Sequence, residues 1–167
     1  MYITLFRLTA VLLFMVLPVS SLSASPDPCD GYPAALMVDT SLRTMWVCLD
    51  GQARREYRVA LGRGGTGKQS KGDKKTPLGC YDIGSPRSSS QYRLFIPIGY
   101  PNDEQKAQGF SGGAVGIHGP HREMLWLGHD STEAGWTLGC IAVGTDEEIL
   151  EVGRWIQDQN ITKVVIQ

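Results

Sequence analysis

The chain has 167 residues and 18.3 kDa, with 16 Lys plus Arg set against 17 Asp plus Glu, a formal net charge of -1. That length fits one ordinary domain and not two, and the even charge balance lacks the basic excess of a nucleic-acid binder. With 42% hydrophobic and 20% charged residues the chain can bury a core, which argues against wholesale disorder, and its 20 glycines and 9 prolines predict many turns in a strand-rich fold.

Residues 1–24 read as a secretory signal peptide: Arg7 is the only charge, an almost unbroken apolar run covers 8–19, and the small residues Ser20, Ser21, Ser23, Ala24 and Ser25 follow. The run is shorter than the roughly 20 residues a membrane span needs. Cleavage between Ser21 and Ser25 is expected to leave no stable membrane span, the alternative being an uncleaved N-terminal anchor. Export to a periplasm or cell wall places Cys29, Cys48, Cys80 and Cys140 in an oxidising compartment. An even set often pairs fully there; four cysteines allow three complete pairings, and one pair with two free thiols is the other arrangement. Cys29 with Cys48 is favoured, because that bridge ties a loose N-terminus to the first hairpin; Cys80 reads as a small buried apolar residue. A Cys80–Cys140 bridge is the pairing that would silence any chemistry at Cys140.

Residues 25–34 are Pro-rich, polar and irregular, and the domain proper is taken as 35–167. Strands are predicted over 35–39 and 44–49, then a hairpin turn at Asp50-Gly51 and a third strand over 55–61 with Tyr57, Val59 and Leu61 on one face. A glycine-rich loop over 62–72 precedes strands at 77–83 and 93–98, separated by a polar loop over 84–91. An irregular stretch over 100–113 leads to a short strand, 114–118, that ends on His118, and a long mixed loop covers 121–136. The clearest helix spans 145–159, with Thr145 as N-cap, Glu148 at the capping-box position, and Ile149, Val152, Trp155 and Ile156 on one face. A strand over 161–166 closes the chain. Strands first and one late helix predict a mainly β fold, a sandwich or curled mixed sheet with that helix packed against it.

Two segments carry chemistry. In Thr137-Leu138-Gly139-Cys140-Ile141 a cysteine follows a glycine that permits a tight turn and close approach of a substrate. In Ile117-His118-Gly119-Pro120 a histidine ends a strand and is held by a stiff turn. A free thiol is only a few per cent ionised at neutral pH, so a thiol nucleophile needs a neighbouring imidazole to take its proton and later return it to a leaving amine.

These two segments, together with Gly72-Asp73-Lys74-Lys75-Thr76-Pro77-Leu78-Gly79, Tyr100-Pro101-Asn102 and the opening hairpin from Met37-Val38-Asp39 to Asp50-Gly51, resemble the L,D-transpeptidase catalytic domain (YkuD) family over residues 35–167. The resemblance implies a YkuD-like curled β fold that needs no metal or organic cofactor. It implies Cys140 as nucleophile, His118 as general base and acid, the Gly119 carbonyl as its orienter, and the N–H groups of Gly139 and Cys140 as oxyanion donors. Thr137, Leu138, His121, Arg122, Trp136 and Tyr100 are the expected substrate contacts. The partners implied are peptidoglycan stem peptides, with carbapenem-type β-lactams as inhibitors of the cysteine. The donor is a tetrapeptide stem cut before its terminal D-alanine, and the acceptor is the side-chain amine of a second stem's diamino acid.

The chain departs from the family where many members carry His before the Gly-Cys pair, here Leu138, and Arg two residues after the cysteine, here Ala142. The gap between His118 and Thr137 is also longer than usual. Transfer to an amine is therefore weighed against hydrolysis by the same Cys-His pair, as an L,D-carboxypeptidase or as an amidase releasing a peptidoglycan-anchored protein. An inactive peptidoglycan-binding module is the remaining alternative.

Other readings of these residues are weaker. Gly62 to Lys68 nearly matches a phosphate-binding loop, but Gln69 stands where Ser or Thr is required. Lys68, Lys71, Lys74 and Lys75 read as a solvated positive loop or as contacts to substrate carboxylates. His118, His121, His129 and Cys140 have no compact zinc spacing. Trp126 and Trp136 are candidate walls of the cleft, and Trp155 reads as core.

Overall fold

The computed structural model describes residues 27–167; the signal-peptide expectation lies outside them. Nine strands form one mixed sheet: β1 Ala34–Asp39, β2 Thr44–Leu49, β3 Gln52–Ala60, β4 Gly79–Asp82, β5 Arg87–Ser89, β6 Arg93–Pro97, β7 Gly116–His118, β8 Ile141–Val143 and β9 Lys163–Ile166. Their order across the sheet is β4-β9-β1-β2-β3-β8-β7-β6-β5. The sheet curls into a half-barrel. Ile83, just past β4, bridges Ile98, just past β6, so the two flanks approach each other at one end. The concave side is packed with Leu36, Val47, Tyr57, Ile96, Ile117 and Val164 among others.

The antiparallel meander β1–β2–β3 follows from local sequence. Asp50 and Gly51 both adopt positive φ (54° and 72°), the turn that suits the twist of a two-residue hairpin. Tyr57 and Val59 are buried, and Leu61 just beyond β3 joins them, as the alternation predicts. The late helix, α2 (Asp146–Asp158), has its Thr145 cap and Glu148 capping box in place. Ile149, Val152 and Ile156 enter the core, while Trp155 is only partly buried at its margin. Three segments are more ordered than the sequence suggests. A short helix, α1 (Asp103–Ala107), is capped by Asn102. Strand β5 lies inside the polar 84–91 loop, and 3-10 turns occupy Arg122–Thr132. None is long enough to show a periodicity of its own.

Cys29 and Cys48 form a disulfide, with Cα atoms 5.2 Å apart, that fastens the segment before β1 to β2. Cys80 and Cys140 are free thiols, so the silencing bridge is absent. The burial expected of Cys80 is overturned, because β4 is an edge strand in which Tyr81 points to the core and Cys80 points outward to solvent. Among the described residues no helix is long and apolar enough to cross a membrane.

Candidate active site

The parallel pairing of β7 with β8 sets the geometry. The register aligns Ile117 with Ile141 and His118 with Ala142. Extended by one residue, it brings Cys140 opposite Gly116, two positions from His118 on the same face, because side chains alternate along a strand. Cys140 and His118 accordingly line one cavity of about 390 Å³, walled also by Tyr92, Phe95, Trp136 and Leu138.

His118 is 2% exposed. Its Nδ1 lies 2.6 Å from the Gly119 carbonyl oxygen. A carbonyl can only accept, so Nδ1 carries the proton and Nε2 is left with a free lone pair. Tyr92 stacks on the ring at 4.0 Å between centroids, and Trp136 meets it edge-on at 5.7 Å. This aromatic enclosure removes water, and burial drives the imidazole pKa down to about 4 against the opposing bond to Gly119. Burial likewise pushes the Cys140 thiol up, with the Gly116 N–H and the Lys68 charge pulling the other way. Both groups are therefore neutral near pH 7. The site therefore rests as a neutral thiol that shares its cavity with a neutral imidazole, not as an ion pair.

The Cys140 segment is pinned by Thr137. Its Oγ1 donates to the Cys140 carbonyl oxygen (2.7 Å) and accepts from the Gly139 N–H (3.1 Å). The Gly139 N–H, expected as an oxyanion donor, is thus already engaged by the Thr137 hydroxyl, which leaves the N–H of Cys140 as the other expected donor. Gly139 has φ +127°, and a Cβ there would stand 2.6 Å from the Lys75 carbonyl oxygen. Only glycine meets both conditions, and this fixes the approach of the 62–76 loop to the nucleophile segment. The Cys140 Sγ sits 3.7 Å from the Ala114 carbonyl oxygen.

The expected substrate contacts divide. Thr137, Leu138, His121 and Trp136 line the cavity, with Leu138 66% exposed at its mouth. Arg122 and Tyr100 do not. Arg122 makes a two-pronged ion pair with Asp146 in the first turn of α2, which ties the chain after His118-Gly119-Pro120 to the helix. Tyr100 is buried, its hydroxyl donating to the Lys68 carbonyl oxygen at 3.2 Å. Trp126 is 81% exposed and is no wall of the cavity. Tyr92 and Phe95 were missed by sequence reasoning. Phe95 is legible only from the β6–β7 register, which pairs it with His118. Lys68 is buried rather than solvated, its Nζ 2.7 Å from Asp73 Oδ1. Among the described residues no group of three or more His, Cys, Asp or Glu side chains is placed to hold a metal ion, and His129 pairs with Glu148 instead.

A curled, mainly β sheet thus sets a cysteine just before one strand and a buried histidine at the end of its parallel neighbour. Residues 33–166 match the L,D-transpeptidase catalytic domain, YkuD, and the chain belongs to that family. YafK of Escherichia coli strain K12, provisionally described as an L,D-transpeptidase, is 38% identical over 66 residues, which are 38% of this chain and 27% of YafK. The fold is similar to that of the helical cell shape determining protein Pgp2 of Campylobacter jejuni, with TM-score 0.65 and 24% identity, covering 86% of this chain and 52% of that one. It is also similar to an L,D-transpeptidase of Xylanimonas cellulosilytica, with TM-score 0.51 and 18% identity, covering 86% and 65%. The chain thus spans about a quarter of YafK and about half of Pgp2.

Proposed function

We propose that this chain is an exported cysteine-dependent L,D-transpeptidase acting on peptidoglycan stem peptides. One observation carries the reading: Cys140 shares a cavity with a neutral His118 whose Nδ1 is tied to the Gly119 carbonyl, leaving Nε2 as base. The Cys29–Cys48 disulfide supports an oxidising destination, and with it the reading of residues 1–24 as a cleaved export signal and 35–167 as the catalytic domain.

The sulfur of Cys140 attacks the carbonyl preceding the terminal D-alanine while Nε2 of His118 takes the thiol proton. The oxyanion is met by the Cys140 N–H. Collapse breaks the C–N bond, and the imidazolium returns its proton to the departing D-alanine amine. The resulting thioester is attacked by an amine of a second stem, which restores the thiol and forms the new amide. Water in place of that amine gives the tripeptide, the carboxypeptidase outcome. With a peptidoglycan-anchored protein as the leaving amine, it gives the amidase outcome.

The test incubates the mature protein with disaccharide tetrapeptides and resolves the products by mass. Cross-linked dimers and free D-alanine, both lost in Cys140→Ala, support transfer. Tripeptides without dimers refute transfer in favour of hydrolysis, and unchanged substrate refutes both in favour of a binding module.

A further inference from the structure

Ala142 is fully buried in β8 and supplies no cation beside the nucleophile. The structure offers cations elsewhere. Leu138 also walls a second cleft of about 310 Å³, lined by Arg63, Lys68, Lys71 and Lys74 together with Gly112 and Gly113, and by no acidic residue. Lys68 is neutralised by Asp73. Among the described residues Arg63, Lys71 and Lys74 take part in no ion pair. Three unpaired like charges around one concavity repel one another, and an anionic ligand relieves that repulsion.

The cleft is built rather than frayed. The Asp73 carboxylate accepts the N–H groups of Gln69 and Ser70, both at 2.9 Å, and of Lys75 at 3.2 Å. The Gly64 N–H donates to the Lys74 carbonyl oxygen at 2.9 Å, which folds the loop back on itself. The two cavities share one wall residue, two positions from the nucleophile. Leu138 walls both; Ala114 belongs to the first, and its neighbours Gly112 and Gly113 belong to the second. The Cys140 Sγ rests against the Ala114 carbonyl oxygen, and the Lys68 charge of the second cleft is close enough to act on the thiol. A peptide whose scissile carbonyl lies over Cys140 has only Leu138 to pass to reach the cations.

We propose that Arg63, Lys71 and Lys74 form the subsite that binds the free carboxylates of the peptide substrate, replacing from the 62–74 loop the cation that Ala142 does not supply. This rests on the stem-peptide reading above. The test measures binding by calorimetry in a Cys140→Ala background, so that turnover does not intervene. The probes are the tetrapeptide L-alanyl-γ-D-glutamyl-meso-diaminopimelyl-D-alanine and its carboxamide analogue. Each of Arg63→Ala, Lys71→Ala and Lys74→Ala weakens binding of the free acid by about fivefold, and the double reversal Lys71→Glu/Lys74→Glu by more than about twentyfold. The carboxamide binds weakly and alike to every variant. All three positions are exposed, and circular dichroism checks that the variants fold. Equal affinity of parent and variants for the free acid, or equal affinity of the parent for the two peptides, overturns the subsite while leaving the stem-peptide reading intact. A parent that binds neither peptide refutes the stem-peptide reading, and the subsite falls with it.

Discussion

Burying a neutral imidazole at the centre of the site makes stability depend on pH in a window of its own. His118 is held at about 4 in the folded chain, whereas an unperturbed histidine titrates at 6.5. Above pH 6.5 neither state takes up the proton and nothing is lost. Below it the unfolded chain protonates first, so stability falls as pH drops through the interval from 6.5 to 4. At about 1.4 kcal/mol per unit, the loss between pH 7 and pH 5 is about 2 kcal/mol, and it reaches about 3 kcal/mol by pH 4. The lowered carboxyls Asp39, Asp73 and Asp146 act at more acid pH, since their ordinary value is already 3.8. Urea denaturation of the disulfide-intact protein at pH 7, 6 and 5, alongside His118→Gln, measures the effect. The variant, which has nothing to protonate at that position, lacks the 2 kcal/mol decline. Parallel declines in parent and variant would refute the assignment of a buried, neutral His118.

The same protonation states govern reactivity. Alkylation of Cys140 by iodoacetamide in a Cys80→Ser background should rise about tenfold per pH unit across pH 6 to 8; a flat, fast rate over that interval would reveal a preformed thiolate–imidazolium pair and contradict the resting state described above. Gly139→Ala forces a Cβ against the Lys75 carbonyl and displaces the nucleophile, lowering kcat by about 100-fold or more in the muropeptide assay. Asp146→Asn loosens the two-pronged clamp from Arg122; both side chains are partly exposed, so the expected loss in urea denaturation is only about 1 kcal/mol. Removing the Cys29–Cys48 bridge, which closes a separation of 19 residues, costs about 3 kcal/mol, read as a lower urea midpoint for the Cys29→Ala/Cys48→Ala double variant.

Features encoded within a few residues were legible in the sequence. The Thr145–Glu148 capping box, the Asp50-Gly51 turn and the strand ending on His118 are each local devices, and each stands in the structure. The Cys140 and His118 segments were found by motif, and the parallel β7–β8 register then supplies the reason they meet. Features that depend on distant chain were not legible. Cys80 looks apolar by composition, but its exposure follows from β4 lying at the sheet edge. The resting charge of the site could not be read, because Tyr92 just before β6, Phe95 within it and Trp136 from the loop before Cys140 converge on His118 and together strip its water. Lys68 looked like one of several loop lysines until Asp73 and the fold around Tyr100 buried it. The Gly139 N–H seemed free to meet an oxyanion until the Thr137 hydroxyl was found to hold it.

Acylation of one sulfur is the step on which the whole account turns, and intact-protein mass spectrometry after incubation with a carbapenem reads it directly. The account predicts a single adduct on the parent and on Cys80→Ser, absent from Cys140→Ala and formed more slowly by His118→Gln. An adduct that persists in Cys140→Ala, or a folded parent that stays unmodified, would contradict it.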